Sequence, residues 1–284
     1  MPVLQQNNHL SGSTYSRKTV LISGASSGLG FATAKLLSEF GYRVFGTTRD
    51  PSKARYLPPA VEMLELDVNS DQSVNSCIRK LFHETDDRLD VLVNNAGFVL
   101  HGAVEEASLE EAKSQFETNL FGILRLIRAV LPTMRRQGGG IIINIGSLAG
   151  HVALPFQGYY AASKFALEGL TESLRHELKS LGIKVSIVEP GFFKTNIGKA
   201  AVEIAASISD YDRVRNSVGK TISKQEQSGQ DPILVAKTVM KIIESEKPKL
   251  HYAVGREKYG LVAKRILPQS AFENMVRRMY HLGK

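Results

Sequence analysis

The sequence predicts a doubly wound α/β domain: a parallel sheet of about seven strands with helices on both faces. Three observations carry this. Strand-like and helix-like stretches alternate along the chain, the order that yields parallel strands joined by helical crossovers. Several strands are unbroken apolar runs rather than alternating patterns, as expected where both faces of a sheet are covered. The chain has 284 residues and no break in composition, which suits one large domain with an ample core.

The elements follow in order. Residues 1–17, MPVLQQNNHLSGSTYSR, lack the apolar segment of a secretory signal and read as a flexible polar N-terminal tail. KTVLISGA (18–25) is a short β-branched run ending in glycine, so a buried strand. FATAKLLSEFG (31–41) is amphipathic and stops at Gly41. YRVFGTT (42–48) and VEMLELDV (61–68) are the second and third strands. SVNSCIRKLFHET is helical, with LDVLVNNAG (89–97) a fourth strand behind it. Residues 108–134 read as one long helix opened by a capping box, Ser108 with Glu111. GGIIINIGS (139–147) is a fifth strand, and the next long helix ends at Gly182. IKVSIVEPG (183–191) and LHYAVG (250–255) complete the sheet, so residues 18–284 read as a single domain.

Composition narrows the function. The single cysteine, Cys77, excludes an intrachain disulfide and fits a reducing, cytoplasmic setting. No CxxC or HExxH motif appears and the seven histidines are scattered, so no metal site is expected. Thirty-six Lys and Arg against 28 Asp and Glu give a formal charge of +8. The bases are spread out, which argues against nucleic acid. They gather only in a basic C-terminal tail, 256–284, a candidate for resting on an anionic membrane. No run of 18 apolar residues exists to span one.

Ligands of doubly wound sheets bind beyond the carboxyl ends of the strands, so residues just after strands carry the functional reading. The first strand runs into SGASSGLG, with Gly24, Gly28 and Gly30 ahead of a helix. Glycines let the backbone approach a pyrophosphate, and the helix N-terminus offers unpaired N–H groups. Further on, YYAASK places Tyr160 and Lys164 one helical turn apart, whereas Tyr159 meets only Ser163. Taken alone, that pair is better explained as two surface neighbours. Ser147 stands directly after the fifth strand, where its hydroxyl can bond a carbonyl oxygen; a turn or helix cap is its ordinary alternative.

GASSGLG, NNAG at 94–97, Ser147, Y-x-x-x-K at 160–164 and PGFFKT at 190–195 together resemble the short-chain dehydrogenase/reductase family in order and spacing, over residues 18 to 255. LPFQGYYAASKFALEGLTESL is most similar to its 17β-hydroxysteroid and retinol dehydrogenase-like branch. The resemblance implies a Rossmann-type catalytic domain that moves a hydride between a nicotinamide cofactor and a carbonyl or alcohol. Its catalytic positions fall on Asn119, Ser147, Tyr160 and Lys164. Free tyrosine, with a pKa near 10, is about 0.1% ionised at neutral pH, and a cation held close lowers such a pKa by about 1–3 units. Lys164 is therefore expected to tune Tyr160 as the acid–base and, by resemblance, to hold the nicotinamide ribose. Asn119 would hold a water in a proton relay; a buried amide satisfied by backbone is its alternative.

The same resemblance assigns cofactor contacts to Gly24, Ser26, Ser27, Gly28, Leu29 and Gly30, to Arg49, to Asp67 and Val68, to Asn95, Ala96 and Gly97, and to Pro190, Gly191 and Thr195. Arg49 suits a 2′-phosphate and Asp50 does not, so NADP(H) is favoured, with NAD(H) the alternative. Phe98, Val152, Leu154, Phe156, Phe192 and Phe193 adjoin the catalytic positions and offer an apolar wall, which suits a lipophilic steroid-, retinoid- or acyl-like small molecule. Residues 196–230 follow the sixth strand and are expected to form a helical lid over the crevice. The two long helices carry apolar residues on more than one face, which predicts a homodimer or tetramer. The rival readings are a non-catalytic NAD(P)-binding scaffold, which would be expected to have lost Tyr, Lys or Ser, and an epimerase or dehydratase on an extended version of the fold, which usually has a larger C-terminal substrate domain.

Overall fold

The computed structural model describes residues 18–53, 58–195 and 201–282; the expected N-terminal tail, 1–17, lies outside them. In chain order come β1 (Thr19–Ile22), α1 (Gly28–Glu39), β2 (Arg43–Thr48), β3 (Val61–Glu65), α2 (Asp71–Glu84), β4 (Val91–Asn94) and β5 (Leu100–His101). There follow α3 (Leu109–Phe116), α4 (Gly122–Arg136), β6 (Gly140–Ile145), α5 (Gly158–Leu178), β7 (Ile183–Pro190) and β8 (Val202–Glu203). The chain closes with α6 (Asp212–Gln227), α7 (Ile233–Glu244), β9 (His251–Val254), α8 (Tyr259–Ile266) and α9 (Gln269–Met279).

The central sheet has seven strands in the order β3-β2-β1-β4-β6-β7-β9, every pair parallel. The chain steps outward from β1 to β3, then crosses to β4 and continues the other way. The order therefore reverses between β1 and β4, and a crevice opens beyond their carboxyl ends. Strand residues alternate between two covered faces. Leu21, Leu92 and Ile142 meet Leu81, Ile127 and Leu167 of α2, α4 and α5. Val20, Ile22, Val93 and Ile143 meet Leu37 of α1 and Val239 of α7. Each such side chain gains about 1.5–3 kcal/mol on full burial, and because both faces collect it, the strands are apolar throughout.

Two polar links fix α5 against the sheet. Asn94 Nδ2 donates to Asn144 Oδ1 at 2.9 Å across β4 and β6, and Asn144 Nδ2 donates to Thr171 Oγ1 of α5 at 2.9 Å. All three residues are buried, and the bonds satisfy the Asn144 amide while Asn94 Oδ1 has no hydrogen-bond partner among the described residues. They set the height of α5 relative to the sheet.

The helix expected over 108–134 is two helices. The capping box at Ser108 and Glu111 is present, but a wide π-helical turn, Glu117–Phe121, separates α3 from α4. The turn delivers the buried Asn119 side chain to the backbone of Phe98, 21 residues back in the chain. The basic C-terminal segment is largely helical. Residues 259–279 fold into α8 and α9, and Phe272 and Tyr280 are buried. Val218 and Ile222 of α6 pack with Tyr280, joined by Leu154, Phe156 and Phe192. Of the expected lid, 196–200 lie outside the described residues. The rest contains β8, paired with β5, and α6, anchored where Arg215 pairs with buried Glu106 and the Ile208 N–H donates to the same carboxylate at 2.7 Å. No helix among the described residues is long and apolar enough to cross a membrane.

Candidate active site

The glycine loop leaves β1 at the switch point. Gly24 and Gly28 have φ of +67° and +58°, conformations that glycine adopts without strain. A Cβ on Gly30 would lie 2.3 Å from the Gly24 carbonyl oxygen and 2.5 Å from Asn95 Nδ2, so only glycine lets the loop fold back on its helix. Asn95 then staples the loop, its Nδ2 donating to the carbonyls of Ser23 and Gly24, both at 2.9 Å. Ser27 stands before α1 with no side-chain cap bond. The first N–H groups of α1 thus face the crevice without a side-chain acceptor, the arrangement that receives a phosphate.

Beyond β2, Asp50 turns away from the crevice; its Oδ1 accepts from Ser52 N at 3.1 Å and Ser52 Oγ at 2.6 Å. Arg49 is exposed and lines the crevice. Beyond β3, Asp67 is held by Asn69 N on its carboxylate at 3.0 Å and Ser73 Oγ on its own N–H at 2.9 Å. These features fit a nicotinamide dinucleotide: a backbone cradle for pyrophosphate, a cation beside β2 and an acceptor beside β3.

The chemical groups stand on the other flank of the crevice. Ser147 leaves β6 extended and caps the turn Leu148–Gly150, its Oγ accepting from Ala149 N at 3.1 Å. Ser147 and Tyr160 line the same cleft, and the Ser147 side chain favours the ionised Tyr160 phenol. Tyr160 and Lys164 stand one turn apart on α5, with Lys164 Nζ 5.8 Å from the phenol ring centroid. Lys164 is buried, and its Nζ donates to the Ile145 carbonyl at 2.9 Å. The expected tuning is corrected here. Burial pushes the Tyr160 phenol above its usual range, opposed by the Ser147 side chain, with no lowering by Lys164. Burial pushes Lys164 itself down to about 8, and the charge of Glu168 works against that shift. Desolvation, which disfavours charge on either group, is the largest influence on both.

One turn beyond Lys164, Glu168 joins a cluster that the sequence did not reveal. His251 Nδ1 lies 2.6 Å from Glu189 Oε1 and 3.5 Å from Glu168 Oε2, and His151 Nε2 lies 3.2 Å from Glu189 Oε1. Both carboxylates are buried, and neither Glu168 oxygen accepts a hydrogen bond. Burial first, then the charge of Glu189, pushes Glu168 up to about 8. The hydrogen bond to Glu189 raises His151. The four ligand-type atoms lie within 4.8 Å of one another beneath α5, and within the group His251 Nδ1 and Glu189 Oε1 are hydrogen-bonded.

A cleft of about 770 Å³ brings most of the sequence-predicted residues together. It is lined by Gly24, Ser26, Ser27, Gly28 and Leu29 of the loop, by Arg49, Asp67 and Val68, and by Asn95, Ala96 and Gly97. Ser147, Tyr160 and Lys164 line it with Pro190, Gly191 and Thr195, and so do Phe98, Val152, Leu154, Phe192 and Phe193. Three expected residues do not line it. Gly30 backs onto Gly24 and Asn95. Asn119 is buried behind Phe98, where it also donates to Ser163 Oγ at 3.3 Å. Phe156 packs edge-on to Tyr211 in the lid cluster. The sequence reading missed the far wall, which α8 and α9 supply through Leu261, Phe272, Met275, Val276 and Met279. The helical spacing of Phe272, Val276 and Met279 was the available signal. A second depression, about 960 Å³, lies between α1 and α6 and holds none of the expected catalytic groups.

The short chain dehydrogenase family model matches residues 18–205. A 3-ketodihydrosphingosine reductase of Bacteroides thetaiotaomicron is 40% identical over 266 residues, covering 92% of this chain and 97% of the relative. A retinol dehydrogenase 8 of Bos taurus is 36% identical over 272 residues, covering 89% of this chain and 86% of the relative. A short-chain dehydrogenase from Streptomyces avermitilis superposes with a TM-score of 0.81 at 33% identity, over 95% of this chain and 98% of that one. A serine dehydrogenase solved with NADP+ superposes with a TM-score of 0.72 at 25% identity, over 83% and 94%.

Proposed function

The chain belongs to the short-chain dehydrogenase family of oxidoreductases, and from that premise we propose that it is an NADP(H)-dependent carbonyl reductase, reversible as an alcohol dehydrogenase, for a lipophilic substrate. When bound, the nicotinamide cofactor supplies or accepts the hydride. Tyr160 gives its proton to the substrate oxygen during reduction and takes it back during oxidation. Ser147, which lines the cleft beside Tyr160, holds the oxygen in line with it. Lys164 adds a positive charge beneath the phenol and holds the cofactor's ribose. Asn119 acts through Phe98 and Ser163, fixing the backbone that forms one wall.

The preference for NADP(H) is supported by the position of Arg49 in the cleft and the turning away of Asp50. The lipophilic substrate is supported above all by the cleft walls, where Phe98, Val152, Leu154 and Phe192 face apolar residues of α8 and α9. Two relatives are named for 3-ketodihydrosphingosine and for retinol, both long apolar molecules with one reacting oxygen function. Exposed Phe121 and Phe165, on the outer sides of the α3–α4 and α5 helices, support a homo-oligomer.

The test is NADPH oxidation by the purified protein against long-chain 3-ketones, retinoids, steroids and small polar carbonyls. Turnover is expected on one of the lipophilic classes and not on the polar ones. Preference for a small polar carbonyl, or no turnover across the panel, would overturn the reading.

A further inference from the structure

The helices that close the cleft carry a second surface. α8 turns Leu261 toward the cleft, while Tyr259, Val262 and Ile266, spaced i, i+3 and i+7, are 68%, 52% and 73% exposed. Leu267 extends this stripe. Met279, at the end of α9, lines the cleft and is itself 46% exposed. Apolar surface therefore reaches from the outer side of the helix pair to the substrate wall. Solvent gains nothing from such a face, and scattered single apolar residues would not follow a helical spacing.

Charge surrounds the stripe. Residues 256–282 hold six Lys and Arg against two Glu, a net +4 out of the formal +8 of the whole chain. Lys258 stands with its Nζ 5.5 Å over the Tyr259 ring, and Arg265 and Arg278 are exposed. An apolar helical face bordered by cations and an aromatic ring is what an interfacial helix presents to phospholipid headgroups. A second copy is a poorer occupant, because a symmetric contact through this face would bring Lys258 and Arg265 against their own counterparts.

We infer that α8 and α9 form an interfacial anchor that rests on an anionic bilayer and opens the cleft toward it. Tyr259, Val262 and Ile266 enter the headgroup region, and Lys258, Arg265 and Arg278 meet the acidic headgroups. The use of the anchor, drawing a substrate out of the bilayer past Met279, rests on the lipophilic-substrate reading; the surface itself does not.

The full-length protein should be sedimented with vesicles of phosphatidylcholine alone and of phosphatidylcholine with phosphatidylserine. Partition into the second should be about tenfold or more stronger and should fall in high salt. Val262→Glu with Ile266→Glu should weaken it about tenfold or more. Both positions are exposed, so turnover of a short soluble carbonyl should not change. Arg265→Glu with Arg278→Glu should remove the preference for acidic lipid. Equal partition into both vesicles, or a Val262→Glu/Ile266→Glu variant that binds like the parent, overturns the anchor. So does a dimer in light scattering that this variant alone dissociates, which assigns the face to self-association. Vesicle binding without turnover of any lipophilic carbonyl keeps the anchor and removes the substrate reading. Turnover of a micellar lipophilic carbonyl without vesicle binding does the reverse.

Discussion

The Asn119 side chain pairs with the backbone of Phe98 in both directions, its Oδ1 accepting from Phe98 N at 3.1 Å and its Nδ2 donating to Phe98 O at 3.0 Å. A buried amide thus acts as a strand partner for the wall that follows β4. Asn119→Leu would orphan the Phe98 N–H, at about 1–3 kcal/mol, while Phe98 O keeps its second donor, Gln115 Nε2 at 2.9 Å. Urea denaturation should show a loss of that order, and turnover should fall further than cofactor affinity because Phe98 lines the cleft. Unchanged stability would remove the pairing from the account.

Tyr160→Phe keeps the ring and deletes the proton. Turnover should fall on the order of 10²–10⁴-fold, with cofactor affinity, read by quenching or calorimetry, within a few fold. Lys164→Ala should lose both. Wild-type turnover in Tyr160→Phe would end the acid–base assignment.

Arg49→Ala separates the cofactors. One charge-assisted contact is worth roughly 1.5–3 kcal/mol, so NADPH should bind on the order of tenfold to a hundredfold more weakly, with NADH nearly unaffected. Titration of both cofactors checks it, and equal weakening of the two would exclude Arg49 from the 2′-phosphate.

Glu168 links stability to pH. Its folded pKa is raised from 4.5 to about 8, so between those values the folded chain holds a proton that the unfolded chain has released. Stability must fall as pH rises through that window. Glu168→Gln, a neutral isostere, should remove this slope and stabilise the protein at pH 8 by on the order of 1–3 kcal/mol. Lys164, lowered from 10.5 to about 8, works in a separate window: its cost is present below about pH 8 and fades as pH rises toward 10.5. Thermal melts carried from about pH 5 to about 10.5 read both windows, and a parent and Glu168→Gln variant with the same slope in the lower window would contradict the burial argument.

Assembly is tested at Phe121 and Phe165, both exposed. Light scattering at micromolar concentration should give a dimer or tetramer for the parent and a smaller species for Phe121→Glu with Phe165→Glu. A monomeric parent would refute this use of the faces.

The sequence by itself determined the sheet, because apolar runs such as VLI and GIIINI report directly that both faces of a strand are covered. It also determined the glycine loop and the Tyr160–Lys164 spacing, since glycine conformation and the helical repeat are local properties of the chain. Only the tertiary structure decided the rest. Asn119 looked like one residue in a continuous helix, and the wide turn exists because Phe98, 21 residues away, needs a hydrogen-bonding partner. The basic tail was read from its charge alone, yet Tyr280 finds burial against α6 and Phe192, far back in the chain. The expected tuning of Tyr160 by Lys164 followed from spacing alone. How far either group is shifted depends on desolvation, and desolvation is set by everything packed around a residue rather than by its neighbours in sequence. His151, Glu168, Glu189 and His251, spread over 100 residues, meet for the same reason: the parallel order of β7 and β9 and the height of α5 bring them together, and no local pattern encodes that.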